Sequence, residues 1–232
     1  LEGYEGNFKE GEKLLSGALE IYIKLGEKNE QTFIFRSKSN FAFKSGEFDN
    51  AIELIEKGLA IKREVGSKRS LARYIISVAN RYLDVKQFSK SRQYYNEALG
   101  IFQELEDKSG EAQVYSGFAS LSYKESKFNE AYDFHHRANT IYAEVSEFGR
   151  RIGNLFSWCA VAMALEDIKK QEEILLEALE LAKEVNYEKE EKRISQWLEE
   201  LSEQKSKQKT AKTNNESIIS ELDIENKRFE EE

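Results

Sequence analysis

GNFKEG (Gly6–Gly11), GEFDNA (Gly46–Ala51), KQFSKS (Lys86–Ser91) and SKFNEA (Ser126–Ala131) are four versions of one hexapeptide, spaced 40 residues apart. Each reads as a glycine or polar residue, any residue, then an aromatic. Phe8, Phe48, Phe88 and Phe128 therefore form a column, which Ile168 continues in a fifth copy. Ten residues beyond it every copy carries a small residue: Ala18, Gly58, Ala98, Ala138 and Ala178. Three residues further stand Ile21, Ile61, Ile101, Ile141 and Leu181, completing an i, i+3 apolar face on one helix. Self-similarity at a fixed period over five copies marks a repeat architecture.

Working outward, a second set of helices falls at roughly 30–45, 70–85, 110–125 and 150–165, so each 40-residue unit is a helix pair. In these helices a small residue recurs at Ser39, Ala79, Ala119 and Cys159, which permits close helix approach. Phe35, Tyr74, Ile75, Tyr115, Phe118, Leu155 and Trp158 flank it and fill the grooves between neighbours. Turn signals join the pairs at Leu25-Gly26-Glu27-Lys28 and Val65-Gly66-Ser67-Lys68, and at Asp107-Lys108-Ser109-Gly110 in the third copy. The chain contains no proline, as long uninterrupted helices require.

Composition narrows the function classes. Of 232 residues, 40% are hydrophobic and 34% charged, enough apolar material for a packed core under a charged surface. The 35 basic and 43 acidic side chains leave a net charge of −8, a field that repels a polyanion, so nucleic acid is not an expected partner. No run approaches the roughly 18 apolar residues of a membrane span, and no apolar signal segment stands at the N-terminus. The one cysteine, Cys159, suits a reducing compartment, so the expected location is cytoplasmic. The chain opens on Leu1 in mid-repeat, which reads as a fragment of a longer parent.

The pattern of small residue, aromatic and small residue at these offsets resembles the tetratricopeptide repeat, over about residues 1 to 200. The resemblance implies an all-α fold, a right-handed α-solenoid of antiparallel helix pairs. The period of 40 is longer than the usual ~34, as in the extended repeats of motor-protein light chains, polarity adaptors and bacterial signalling regulators. Two positions depart from the pattern: Lys38 replaces a core leucine, and Gln171 stands where a small residue belongs. The domain reading is a half repeat 1–28, full repeats 29–68, 69–108, 109–148 and 149–188, and a capping helix 189–203. That helix carries Ile194, Trp197, Leu198 and Leu201 on one face. Residues 204–232 read as a polar linker followed by either a short coiled-coil start at Ile218, Leu222 and Phe229 or a frayed tail.

Nothing in the chain assembles a catalytic set. His135 and His136 are the only histidines; adjacent helical residues point about 100° apart, so they do not share a metal. His135 shares a column with Leu15, Ile55, Tyr95 and Leu175 and reads as a packing residue, as does Cys159. There is no phosphate-cradling glycine loop, paired-cysteine motif or nucleophile elbow. The expectation is a non-enzyme without cofactor or metal.

In proteins of the resembled family a partner's extended segment or helix lies along the concave face formed by the first helices. Mapped onto this chain, that face offers Arg36, Asn40, Lys44, Arg73, Asn80, Gln113, Tyr123 and Phe156, with Phe33 and Met163 beside them. Asn40 and Asn80 are equivalent, and their amides can hold a peptide main chain whatever its side chains. Arg36 with Asn40 resembles half of the carboxylate clamp of chaperone-binding members, but Ser77, Gln113 and Gly117 replace the rest, which argues against a chaperone-tail receptor. The expected partner is a protein or peptide, acidic with an apolar anchor, bound in the groove. The alternative is a regulatory or sensor module, responsive to a peptide or small molecule, that feeds a downstream output domain in the parent chain.

Overall fold

The computed structural model describes the backbone of residues 2–207 and Thr210, and side chains from Glu10 onward within those residues. The described residues are all-α. The helices are α1 (Glu2–Leu25), α2 (Lys28–Lys44), α3 (Phe48–Val65), α4 (Lys68–Asp84), α5 (Phe88–Glu104), α6 (Lys108–Lys124), α7 (Phe128–Glu144), α8 (Phe148–Ala164) and α9 (Ile168–Glu184). A tenth, α10, covers residues 188–207. The even-numbered helices are the first members of the helix pairs, and Phe48, Phe88, Phe128 and Ile168 each open a second member. The side chain of Phe8 lies outside the described ones.

The 40-residue period is two nearly identical steps. Gly26, Gly46, Lys86, Glu106, Ser126, Ser146, Glu166 and Asn186 all take left-handed φ between 52° and 82°. At each, two reversed hydrogen bonds close the helix: Gly46 N–H donates to Phe43 O at 3.0 Å and Glu47 N–H to Ala42 O at 2.8 Å, and the same pair recurs at the other seven. This Schellman closure satisfies carbonyls that the helix end would leave open. It follows first and second helices alike, so one turn geometry resets the chain every 20 residues. Only two of the eight positions are glycine, although left-handed backbone disfavours other residues.

The joint after α3 is different. Gly66 has φ −77° and ψ 143°, α3 runs one residue longer at 18, and the Ser67 hydroxyl accepts from Ser70 N–H at 3.3 Å. The glycine there is therefore not a left-handed cap. In the third copy the turn residue is Glu106. Gly110, expected in the turn, lies inside α6, where a Cβ would meet the Phe102 ring at 2.1 Å. Its N–H is capped by Asp107 Oδ1 at 3.0 Å.

Two compact units divide within α8, one up to Asn154 and one from Leu155 onward. In the first, Ile55, Tyr74, Ile75, Val78, Tyr95, Phe102, Val114, Phe118 and Leu121 form a buried core. Small residues let the helices of each pair touch: Ser39 and Ala51 are fully buried, and Ser39 Oγ donates to Ala51 O at 2.7 Å. Burial of the column at Ile61, Ile101 and Ile141 is partial, and Ile21 is exposed. Lys38, in the core register, is half-buried and donates from Nζ to Ser16 Oγ at 2.7 Å.

In the second unit Leu155, Val161, Ile174, Leu175, Leu181, Ile194 and Leu201 are buried. Helix α10 continues over Gln204–Lys207, where sequence alone suggested a polar linker. An ion pair from Lys205 to Glu172 and a Ser206 Oγ bond to Ser202 O at 3.0 Å hold its last turn. The expected coiled-coil start at Ile218, Leu222 and Phe229 lies outside the described residues.

Candidate functional site: a peptide-binding face

Seven of the eight expected binding residues lie in the first unit, on α2, α4 and α6. Arg36 is half-buried one helical turn from exposed Phe33, and its guanidinium stands 5.4 Å from that ring's centre. Arg36 and Arg73 line one cavity of about 240 Å³, together with Phe33, Lys62, Ser70 and Tyr74. Three cations thus face one space. No carboxylate pairs with Arg36, Arg73 or Lys62 among the described residues, and Lys62 Nζ donates only to Asn29 Oδ1 at 2.9 Å. Four cations close in sequence are neutralised: Lys28 by Glu64, Arg63 by Glu97, Lys68 by Glu104 and Arg69 by Asp107. The cavity is therefore a local positive site in an acidic protein, and guanidinium groups suit a carboxylate or phosphate.

Lys62 was not legible as a site residue because it belongs to α3, a second helix, while the sequence reading took its columns from first helices only.

Asn40 and Asn80 are both exposed, and each carbonyl already holds one partner. The Asn40 Oδ1 accepts from Arg81 Nη2, and the Asn80 Oδ1 accepts from the hydroxyl of fully buried Tyr95. Each amide retains its Nδ2 donors. Each residue therefore keeps its donors and one acceptor position, with the carbonyl already oriented by its protein partner.

Arg81 was also missed by the sequence reading. It is buried, its Nη1 pairs with Asp84 at 3.0 Å, and its guanidinium lies 4.6 Å from the Phe43 ring centre. Burial lowers its pKa, opposed by Asp84. Its Nε makes no hydrogen bond.

Lys44 is exposed at the end of α2, Gln113 is half-buried in α6, and Tyr123 packs on Phe128 with ring centres 5.5 Å apart. Phe156 falls in the second unit, where it meets Trp197 edge-on at 5.3 Å and 78°.

His135 sits in the core register with 2% of its surface exposed. Asn154 orients it: Nδ2 donates to His135 O at 2.9 Å, which turns Oδ1 toward the ring Nδ1 at 2.7 Å and makes that nitrogen the donor. Ser116 Oγ donates to the same Oδ1 at 3.0 Å. Burial pushes the imidazole pKa down to about 4, partly offset by the Asn154 bond, so the ring is neutral. Burial likewise raises the Cys159 thiol to about 11, far from thiolate reactivity. No group of three or more His, Cys, Asp or Glu is placed to hold a metal among the described residues. Nor is any described helix long and apolar enough to cross a membrane.

The fold is shared with several solved structures. BtubC (BKLC) from P. vanneervenii is 25% identical with a TM-score of 0.62, over 79% of this chain and 76% of that one. The signal transduction ATPase with numerous domains (STAND) protein with a tetratricopeptide repeat sensor, from Pyrococcus horikoshii, is 20% identical with a TM-score of 0.63; the match covers 79% of this chain and 29% of that one. A Rap protein complexed with Competence and Sporulation Factor is 18% identical with a TM-score of 0.60, covering 79% and 51%. These neighbours carry the TPR-like helical repeat. No curated protein matches the sequence. The model of the soluble NSF attachment protein, SNAP, matches residues 4–224, nearly the whole chain. With its helix pairs and this match, the chain belongs to the soluble NSF attachment protein (SNAP) family of TPR-like repeats.

Proposed function

We propose that this chain is a protein- or peptide-binding scaffold whose α2, α4 and α6 face takes an extended or helical segment bearing an acidic group. The cavity in which Arg36, Arg73 and Lys62 meet without a carboxylate carries this reading. An acidic side chain or C-terminal carboxylate there replaces water around three like charges and relieves their mutual repulsion. Asn40 and Asn80 supply amide donors along the same first helices, and exposed Phe33 supplies apolar surface beside the charge. The role is one of holding rather than catalysis, in the cytoplasm, with protein rather than nucleic acid or membrane as partner. Net charge −8 opposes a polyanion, and His135 and Cys159 are buried in unreactive states.

A second reading makes the chain the sensor or regulatory module of a larger signalling protein with an output domain. Likeness to the tetratricopeptide sensor of a STAND protein supports it, as does the complex of a Rap protein with Competence and Sporulation Factor.

The test is a selection from a random peptide library on the natural chain, followed by affinities for a double variant, Arg36→Ala with Arg73→Ala. Acidic ligands that bind at least tenfold more weakly to the variant, and more weakly at high salt, support the assignment. A selection yielding only basic ligands, or affinities untouched by the double change, sinks it.

A further inference from the structure

The small residues that close each helix pair fail in the last one, and a cavity opens there. Ser39 faces Ala51 in the first full pair, and the equivalent positions are Ala79 and Ser91, then Ala119 and Ala131, all fully buried. In the fourth pair these positions are Cys159 and Gln171. A cavity of about 380 Å³ lies there in the second unit, bounded by α8, α9 and α10. Phe156, Met163, Leu175, Trp197 and Leu201 give it apolar walls. Gln171 also lines it; only 7% of its surface is exposed, and its side-chain amide makes no hydrogen bond among the described residues. An amide with no partner in the fold, on the wall of an open cavity and at a position where the other repeats carry alanine or serine, is free to pair with a ligand group.

We infer that this cavity binds a neutral aromatic side chain of a protein partner, with Gln171 hydrogen-bonding the main-chain amide that flanks it. The volume fits the lower end of ligand pockets and takes one ring with its adjoining amide. The edge-to-face pair of Phe156 and Trp197 at 5.3 Å continues as an aromatic wall for a third ring. Met163, with 60% of its surface exposed, brings a polarizable thioether to the cavity lining. Among the described residues Glu200 is the one charged side chain lining the cavity, and the Arg193 guanidinium stacks on the rings of Phe156 and Trp197, 5.1 and 4.4 Å from their centres, so the two opposite charges single out neither an anion nor a cation. Neither Arg36 nor Arg73 contributes, so this site stands or falls separately from the acidic-segment reading.

Met163 is the only methionine in the chain, so a sample labelled with methyl-¹³C methionine gives one signal, located at the cavity. Titration of the full chain with N-acetylphenylalaninamide moves that signal saturably, whereas N-acetylalaninamide does not. Gln171→Ala, with the residue that stands at Ala51 and Ala131, weakens the effect about three- to tenfold, the worth of one neutral hydrogen bond. Gln171→Leu preserves the volume and does the same should the alanine variant be unstable. A signal that does not move, moves equally with both probes, or moves with unchanged affinity in a folded Gln171 variant overturns the inference.

Discussion

The Tyr74 hydroxyl occupies the space a side chain at position 58 would need: a Cβ on Gly58 would lie 1.8 Å from it. Both residues are buried, and the same hydroxyl donates to Thr32 O at 3.4 Å. One repeat on, the small-column residue is Ala98 and the register of Tyr74 is filled by Val114. Glycine at 58 is therefore the complement of a tyrosine at 74.

Gly58→Ala is expected to cost about 1–3 kcal/mol, the range for overpacking a tight core. Adding Tyr74→Val reproduces the pairing of the next repeat and recovers part of the loss. Urea unfolding of the two single variants and the double measures the coupling. A Gly58→Ala variant as stable as the natural chain would show that Tyr74 moves aside freely.

Tyr95 and Asn80 are coupled as donor and acceptor, with the phenol ring threaded against Gly117. Asn80→Ala strips the buried hydroxyl of that acceptor and costs about 1–3 kcal/mol. On a Tyr95→Phe background the same change costs less. Equal costs on both backgrounds would show that the two residues are not coupled.

Stability depends on pH through His135. Its folded pKa of about 4 lies below the ordinary 6.5, so the unfolded chain protonates first as pH falls. The stabilisation is fully present above pH 6.5 and is lost as pH drops from 6.5 toward 4, by at most roughly 3 kcal/mol. Leucine stands in this column at Leu15 and Leu175, and His135→Leu flattens the slope between pH 7.5 and 5.5. Ser116 remains to serve the Asn154 carbonyl. An unchanged slope in that variant assigns the pH dependence to other groups.

Ser126 holds a left-handed φ of 61° without being glycine. Ser126→Gly is expected to raise stability by about 0.5–1 kcal/mol, or about 2–4 °C per kcal/mol in Tm for a chain of this size. Ser120→Gly, exposed within α6, lowers it by a similar amount. Calorimetry that finds both substitutions destabilising would contradict the turn geometry.

The periodic features were legible without coordinates. Helix pairs at a 40-residue spacing, the small-residue column at Ser39, Ala79, Ala119 and Cys159, and the packing role of His135 follow from register, because a helix that must bury one stripe repeats its side-chain sizes along that stripe. The 20-residue step was hidden. Its turn residues are Lys86, Glu106, Ser126, Ser146, Glu166 and Asn186, and backbone geometry at these sites is imposed by packing on either side rather than by residue type. The candidate binding residues were legible as first-helix positions, but their partners were not: Arg81 on Asn40, Tyr95 on Asn80 and Lys62 beside Arg36 join residues 15 to 41 positions apart, or on different helices of a pair. Sequence alone determined which residues share a face, since that depends on helical period. Only the tertiary structure decided which polar groups on those faces are already satisfied, since that depends on how neighbouring helices meet.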